Sequence, residues 1–506
     1  MTDLPYGWAL TTLGEIAETM LGKMLDRKEY TGEHAVPYLR NVNVQWGQID
    51  LDDVLTMDIH PDQRDIYELR QDDLLICEGG EVGRCAVWRS PSGYMAFQKA
   101  LHRVRPYGGI DSIYLRYLLE HLSSSGQLAR FTTGSTIKHL PQEQLRKIPV
   151  PMAPLGEQRR IVEVLESCLS RLDAGAAVLD RLALRTSSLV QSATHLGVCG
   201  ELSQRGSESL DVWVENLRTK RSELSSRDRR PAQASTIPGY ILPTGWRMLS
   251  LDSLSYASSY GTSTKCDHGA AGDPVLRIPN IRNGEVDLRD IKKAVDETVD
   301  LSGFYVSPGD ILFIRTNGSP NLIGRAAIVR DSLEYAFASY LIRFRLVSKD
   351  ILPEWVLTVV SSPLWRSYLQ EKSASSAGQY NLSAQALSSV PIPLPPRDEI
   401  VDILASLDQL RSFTAKVDNE LAQGKRRACL MRKSLLAQAF EGRLVPQDPS
   451  DEHASELLKR IRQNTSLRAT RKRPTIRTRS KTHTPELDAM PIPLPITNPP
   501  TQETLL

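Results

Sequence analysis

The stretch PYLRNVNVQWGQIDL, Pro37 to Leu51, returns 237 residues later as PVLRIPNIRNGEVDL, Pro274 to Leu288. One leucine, arginine, asparagine, glycine and aspartate recur at the same spacing in both copies. A repeat of such long period determines the architecture of a whole chain, so it has to be recognised before single elements are assigned. The sequence therefore predicts two similar domains, each built around one copy of this stretch.

Further matches extend the repeat to both sides. LPYGW at Leu4 returns as LPTGW at Leu242, and IPVPMAPLGEQ at Ile148 returns as VPIPLPPRDEI at Val390. The blocks keep their order while the offset grows from 237 to 242, which indicates small loop insertions. We expect a first domain at residues 1–152, a helical region and linker at 153–235, a second domain at 236–393, a second helical region at 394–465 and a basic, Pro-rich disordered tail at 466–506.

Each repeat has two parts of different character. About 150 residues alternate short β-type runs with Gly, Pro, Asn and Asp turn signals, which predicts an α+β domain with a curved sheet. After a proline run the pattern changes to heptads. The predicted seam positions are Ile161, Leu165, Cys168, Leu172, Gly175, Leu179, Leu182, Thr186, Leu189, Ala193 and Leu196 in the first copy, and Ile403, Leu407, Leu410, Thr414, Val417, Leu421, Gly424, Ala428, Met431 and Leu435 in the second. We expect two paired helices of about 60 Å; one amphipathic helix packed on each domain is the alternative.

Composition excludes several classes of protein. The 62 Lys plus Arg nearly balance the 60 Asp plus Glu among 506 residues. Apolar runs such as Ile311 to Ile314 are far shorter than the roughly 20 residues that span a bilayer. The N-terminus lacks the pattern of a signal peptide, so we expect a cytoplasmic protein with no membrane partner. Six scattered cysteines without a C-x-x-C pair favour neither a zinc site nor disulfides.

Catalytic motifs are absent from the sequence. It contains no phosphate loop, no dinucleotide fingerprint, no H-E-x-x-H and no G-x-S-x-G. Asn498-Pro499-Pro500 resembles the start of the adenine methyltransferase motif, but Thr501 stands where the aromatic residue belongs. We therefore expect no catalysis, metal or cofactor in this chain. Two similar but non-identical domains joined by rigid helices suit a reader of two separated DNA sites.

The whole plan, from LPxGW through the proline motif to the segment Ala439 to Arg462, resembles the specificity subunit of type I restriction-modification systems. The resemblance implies two target recognition domains, two helical regions packed as an antiparallel coiled coil, and double-stranded DNA as ligand. It also implies two methyltransferase subunits that use S-adenosylmethionine, and restriction subunits that translocate DNA with ATP and Mg²⁺. The first copy departs from the pattern at His195 to Gly200, which leaves the end of its helix open.

Candidate DNA contacts follow from donor chemistry, because Arg or Lys can hold guanine and Asn or Gln can hold adenine. The candidates are Arg40, Asn43, Arg84, Ser135, Thr136, Lys138 and His139 in the first copy, and Arg277, Asn280, Arg315, Asn317, Arg325, Gln379, Tyr380 and Asn381 in the second. Loop hydroxyls and amides suit phosphates. Arginines shared by both copies also fit phosphate contacts or structural ion pairs, so loops that differ are the better candidates for base readout.

Two other functions are alternatives to DNA recognition. A coiled-coil adaptor with two protein-binding domains would also explain the heptads. An autonomous methyltransferase or nuclease is disfavoured by the missing motifs. If the chain reads DNA, we expect its two domains to be related by a two-fold axis, because the strands of a duplex are antiparallel.

Overall fold

The structure, a computed structural model, describes residues 4–25, 31–89, 93–135, 138–202, 209–225, 230–376 and 378–471. Thr136 and most of the expected tail lie outside these ranges. The chain forms two compact units, residues 1–166 with 433–506, and residues 167–432.

The first unit has a four-stranded antiparallel sheet and a smaller sheet beside it. Its elements are β1 (Ala9–Thr12), α1 (Leu13–Ile16), β2 (Ala17–Leu21), β3 (Ala35–Leu39), β4 (Val44–Gln45), β5 (Gln48–Ile49), β6 (Leu55–Asp58), α2 (Arg64–Tyr67), β7 (Leu74–Cys77), β8 (Cys85–Val87), β9 (Ala96–Phe97), β10 (Leu101–Pro106), α3 (Ser112–Ser124), α4 (Gln142–Arg146), β11 (Pro149–Met152) and the start of α5 (Leu155–Val198). The strand orders are β2-β10-β7-β8 and β6-β3-β9, with β1 paired to β11.

The second unit repeats this plan, but its sheets have more strands. Its elements are α6 (Leu210–Leu224), β12 (Arg247–Ser250), β13 (Ser255–Tyr260), β14 (Cys266–Asp267), β15 (Pro274–Leu276), β16 (Ile281–Arg282), β17 (Gly284–Val286), β18 (Lys292–Ala294), β19 (Asp310–Ile314), β20 (Thr316–Asn317), β21 (Ala326–Ile328), β22 (Ala336–Phe337), β23 (Leu341–Leu346), α7 (Leu352–Ser361), α8 (Pro363–Glu371), β24 (Ala374–Ser376), β25 (Gln379–Asn381), α9 (Ala384–Ser388), β26 (Pro391–Leu394) and most of α10 (Arg397–Phe440). The main sheet has the order β13-β23-β19-β21-β17-β16. The end of α10 and α11 (Ala454–Arg471) belong to the first unit.

Each main sheet is built around a fully buried strand, β7 or β19. An aspartate at its start, Asp73 or Asp310, is buried and forms an ion pair with Arg105 (2.7 Å) or Arg345 (3.3 Å). A charge taken out of water must be paired, so these ion pairs allow a carboxylate to begin the central strand. The expected α+β class with two repeated domains is confirmed.

Both long helices end in the same way. Gly200 follows α5 with φ +74°, and Gly442 follows α10 with φ +66°. A Cβ at Gly200 would lie 2.9 Å from Pro243 Cγ, and one at Gly442 would lie 2.2 Å from Pro5 Cγ. Left-handed backbone and the close prolines both require glycine here. The unusual sequence at the end of the first helix therefore leaves its termination unchanged, and the first residues of each repeated LPxGW motif pack on a helix end.

Within the second unit α5 and α10 run antiparallel. Residue numbers rise along one helix as they fall along the other: Asp173 accepts from Arg432 (2.8 Å), Asp180 pairs with Lys425, and Thr186 Oγ1 donates to Asp418 (2.8 Å). Both helices have 44 residues and end within two residues of the expected positions. The predicted antiparallel pairing is confirmed.

The predicted seam needs a correction. Leu182, Leu189 and Met431 are 40%, 49% and 55% exposed, and a Cβ at Gly175 would meet no atom within 4 Å. On α5 the half-buried positions are instead Ala176, Ala183 and Val190, one residue further along. A heptad pattern permits either choice, and Ala183 and Val190 are smaller than the neighbouring Leu182 and Leu189, so the two backbones can come closer. Thr186 and Gly424 do lie in the seam, since a Cβ at Gly424 would stand 3.1 Å from Leu179 Cδ1.

The last helix extends past the expected start of the tail. We expected the tail from residue 466, but α11 continues to Arg471. Its Ile461 and Leu457 lie against Gly108 of the first unit, where a Cβ would be 3.0–3.1 Å from their side chains. Packing on the domain gives the helix support that local composition does not supply.

The two helical glycines give a matched test of the seam. Replacing glycine by leucine improves helix propensity by about 0.8 kcal/mol at either site. Gly175→Leu should therefore raise thermal stability, whereas Gly424→Leu adds overpacking of about 1–3 kcal/mol and should lower it. Melting followed by circular dichroism measures both. Equal melting temperatures would mean that Gly424 is not in a tight contact.

Candidate nucleic-acid interface

The repeated stretch forms one buried turn in the first domain. After β3 the backbone makes a 3-10 turn over Asn41–Asn43. Asn43 Oδ1 accepts from the Arg40 amide (2.9 Å), and its Nδ2 donates to the carbonyls of Asp50 and Asp53 (both 3.0 Å). Arg40 then pairs with the Asp53 carboxylate at 2.6 Å. One amide thus ties three points of the chain together.

The second domain repeats the turn bond for bond. Asn280 Oδ1 accepts from the Arg277 amide (2.7 Å), and Nδ2 donates to the carbonyls of Asp287 (2.8 Å) and Asp290 (2.9 Å). Arg277 pairs with Asp290 at 3.3 Å. The spacing from arginine to the paired aspartate is the same in both copies, so extending the repeat by two residues would have predicted Asp290 and its counterpart Asp53 from sequence.

These contacts correct two expected site residues. Asn43 and Asn280 are 1% and 0% exposed, and both amide groups are occupied by backbone. A buried amide whose donors are satisfied cannot reach a base edge, so both are withdrawn as candidate readers. Arg40 and Arg277 have the structural ion pairs that we considered as the alternative for arginines shared by both copies.

A small sheet in the second domain brings five other candidates together. β20, β25 and β24 pair in the order β20-β25-β24, which places Thr316 opposite Asn381 and Asn317 opposite Tyr380. Gln379 is exposed at the start of β25, and Arg315 directly precedes β20. Two loops that are about 60 residues apart in sequence thus form one surface. We call this surface, residues 315–317 and 379–381, the second platform.

Tyr260 supports the second platform and was missed by the sequence analysis. The Arg315 guanidinium lies 4.9 Å from the centre of its ring, and the Arg315 Nη1 atom donates to the Ser339 carbonyl at 3.4 Å. The Tyr260 hydroxyl accepts from the amide of Ala384. A cation above an aromatic face is held in place while its remaining donors stay free. No local signal marks Tyr260, because its partners are distant in sequence.

The first domain has a shorter version of this platform. His139 and Thr133 exchange backbone hydrogen bonds (2.9 and 2.8 Å), and His139 also forms a bridge with Gly79. Ser135, Lys138 and His139 are exposed. These residues therefore lie together on one loop beside the end of β7, while Thr136 lies outside the described residues. Whether they contact DNA stays a prediction.

Arg84 and Arg325 occupy equivalent places but have different partners. Arg84 pairs with Glu81 (3.3 Å) and donates to the Asn41 carbonyl (2.9 Å). Arg325 is exposed and donates through Nε to the Asn321 carbonyl (2.9 Å). The two equivalent loops therefore differ in charge as well as in sequence: the arginine pairs with Glu81 in the first domain and donates to a backbone carbonyl in the second.

The described residues contain neither a metal-binding cluster nor a membrane-spanning helix. No group of three His, Cys, Asp or Glu in those ranges could hold a metal ion. Over the same ranges, no helix is sufficiently long and apolar to span a membrane.

Two repeated domains, each with a loop platform rich in hydrogen-bonding side chains, are typical of recognition proteins. Residues 5–177 and 243–423 match the family described as “Type I restriction modification DNA specificity domain”. The match covers most of the chain and both repeats. The chain therefore belongs to the type I restriction-modification specificity family, and both repeats are DNA recognition domains.

Relatives of the same family align over most of their length. The Type I restriction enzyme EcoKI specificity subunit of Escherichia coli K12 is 23% identical over 453 residues, 88% of this chain and 90% of its own. The StySPI specificity subunit of Salmonella potsdam is 22% identical with the same coverage. A solved chain described under “complex assembly and conformational transition of the type I R-M system” is similar in fold, with TM-score 0.63, 18% identity, and 87% and 100% coverage.

Substitutions should separate framework from readout in the second domain. Asn280→Ala removes the hydrogen-bond partners of the buried Arg277 amide and the Asp287 carbonyl, at about 1–3 kcal/mol each, so it should lower the melting temperature markedly. Gln379→Ala removes an exposed side chain and should leave the melting temperature unchanged while weakening sequence-specific binding. Thermal melts and binding to a cognate duplex test both. An unchanged melt for Asn280→Ala would refute the framework role.

Proposed function

We propose that this chain is the non-catalytic reader of a type I restriction-modification complex and that each of its domains recognises one half of a bipartite duplex target. The observation that carries the proposal is the pair of identical buried turns beside non-identical loop platforms. A shared framework with different loops is what two half-sites of different sequence require. In this proposal duplex DNA is the ligand and the cytoplasm is the site of action.

The chemistry of the platforms supports base readout. Arg315 has guanidinium donors suited to guanine O6 and N7, while Gln379 and Asn317 have amides suited to adenine N6 and N7. In the first domain Lys138 and the hydroxyl of Ser135 suit guanine and phosphate respectively. All five side chains are exposed or half-buried.

Adenine methylation and DNA cleavage belong to partner subunits in this proposal. S-adenosylmethionine would be bound by two methyltransferase subunits, and ATP with Mg²⁺ by restriction subunits. The chain itself would only position these partner subunits on the DNA. The rigid pair of long helices would set the distance between the two half-sites, at about 1.5 Å per residue.

An exposed apolar stripe on α5 supports methyltransferase docking. Val178, Leu182 and Leu189 are 43%, 40% and 49% exposed and lie within about 40° of one another around the helix. Exposed leucines in a row are unusual on a monomeric surface and mark interaction sites. We propose this stripe, residues 178, 182 and 189, as a contact for one methyltransferase subunit.

Domain exchange tests the two-reader proposal. Replacing Met1 to Met152 by the matching segment of a homologous subunit should change one half of the methylated sequence and leave the other half and the spacer intact. Methylation mapping of the host genome measures this directly. If both half-sites changed together, the domains would not read independently; if no bipartite methylation occurred, the adaptor function would be favoured.

The docking stripe has a control on the same helix. Leu182→Glu with Leu189→Glu places two charges in the proposed contact and should abolish co-purification of the methyltransferase subunit. Leu184→Glu, at a leucine that is 72% exposed and about 200° around the helix from Leu182, should leave co-purification intact. Circular dichroism controls for folding. Equal co-purification of all variants would exclude the stripe as the contact.

A further inference from the structure

A cleft of about 740 Å³ in the second unit lies beside the loop that begins with the second platform. Four arginines line it: Arg325, Arg330, Arg366 and Arg411. Arg330 pairs with Glu285 (2.9 Å) and with Glu354, and Arg411 pairs with Asp408 (3.2 Å). Two of the four positive charges are therefore neutralised within the protein.

The other two arginines converge without a carboxylate. Arg325 Nε and Arg366 Nη2 both donate to the Asn321 carbonyl, at 2.9 and 3.1 Å, so these nitrogens lie within about 6 Å of each other. Arg366 Nη2 also donates to the Ile323 carbonyl, and its Nη1 is buried with no hydrogen-bond partner. Across the described ranges, neither arginine forms an ion pair. Two adjacent guanidinium groups thus keep their charge and part of their donor capacity.

This juxtaposition is unfavourable without an anion. Burial and the nearby charge of Arg325 lower the pKa of Arg366 to about 10, so Arg366 remains charged at neutral pH. An oxyanion beside both would remove the repulsion and accept charge-assisted hydrogen bonds. Phosphate oxygens match the fixed fork of the guanidinium particularly well.

We propose that Arg325 and Arg366 together hold one phosphate group of the DNA backbone at the second half-site. This inference rests on the proposed DNA-reading function. The backbone of DNA is favoured over a free phosphate because residues 315–325 form one loop, which carries the base-reading candidates Arg315 and Asn317 at its start and Arg325 at its end. A phosphate contact at this position would fix the register of the platform against the bases.

In the described part of the first domain, no matching pair of arginines stands at the equivalent place. Gly83 packs on Leu128 as Gly324 packs on Leu369, but the residue three positions before Leu128 is Ser125, whereas the residue three positions before Leu369 is Arg366. Arg84, the counterpart of Arg325, is neutralised by Glu81. The phosphate clamp is therefore a property of the second domain, and the two half-sites contribute unequally to the salt dependence of binding.

Salt dependence of binding tests the clamp. The full chain, assembled with its methyltransferase partner, is titrated with a fluorescent duplex at several NaCl concentrations. Each phosphate contact contributes about 0.9 to the slope of log K against log salt. Arg366→Gln and Arg325→Gln should each reduce the slope by about 0.9, and the double variant by little more, because both side chains hold one phosphate. The methylated sequence should not change.

Arg411→Gln is the matched control, because it removes the same charge from the same cleft at an arginine that is paired already. It should leave the slope unchanged, and an equal decrease would show a general charge effect and overturn the clamp. Arg325 is exposed, so its variant keeps the test valid if Arg366→Gln unfolds. Unchanged slopes for both variants would overturn the clamp while DNA reading stands.

Calorimetry with inorganic phosphate distinguishes the two sources of the anion. The unmodified complex could bind inorganic phosphate, and both variants could lose that binding while their DNA slopes stay unchanged. That combined outcome would mean that the cleft takes a free phosphate and that the assignment to DNA is wrong. If the unmodified complex fails to bind any duplex, the proposed function itself is wrong, and the clamp is refuted with it.

Discussion

Close approach of α5 and α10 depends on the missing side chain of Gly424, opposite Leu179. Ion pairs on the flanks, from Asp173 to Arg432 and from Asp180 to Lys425, are compatible with only one direction and one register of the two helices. Because small residues occupy the seam, the larger Leu182 and Leu189 are displaced to the surface. The same packing that joins the helices thus leaves an exposed apolar stripe on α5.

The buried asparagine turn separates framework from specificity. Asn43 and Asn280 satisfy the same backbone groups in the two domains, and each is reinforced by an arginine–aspartate pair. Because each asparagine amide is satisfied within its own turn, this framework does not depend on the loops beside it. Those loops can then differ between the domains without loss of the fold, which is the condition for reading two different half-sites.

Divergence between the domains is electrostatic as well as chemical. At one equivalent position Arg84 is neutralised by Glu81, whereas Arg325 lies beside a second unpaired arginine, Arg366. The central strands show the opposite behaviour, since both retain a buried aspartate paired with arginine. The buried pairs at the central strands are thus kept in both copies, whereas the charges around Arg84 and Arg325 differ.

The sequence alone determined the two domains, the α+β class and the ends of both long helices, because repeats, turn residues and heptads are local patterns. It misassigned Asn43 and Asn280, since an amide that binds backbone and one that could bind a base look the same in sequence. Only packing against the facing helix decides that Ala183, rather than Leu182, lies in the seam. Tyr260 and Arg366 were found only in the structure, because their partners come from segments remote in sequence. Tertiary packing alone decides which polar groups are already satisfied and which remain free to bind DNA.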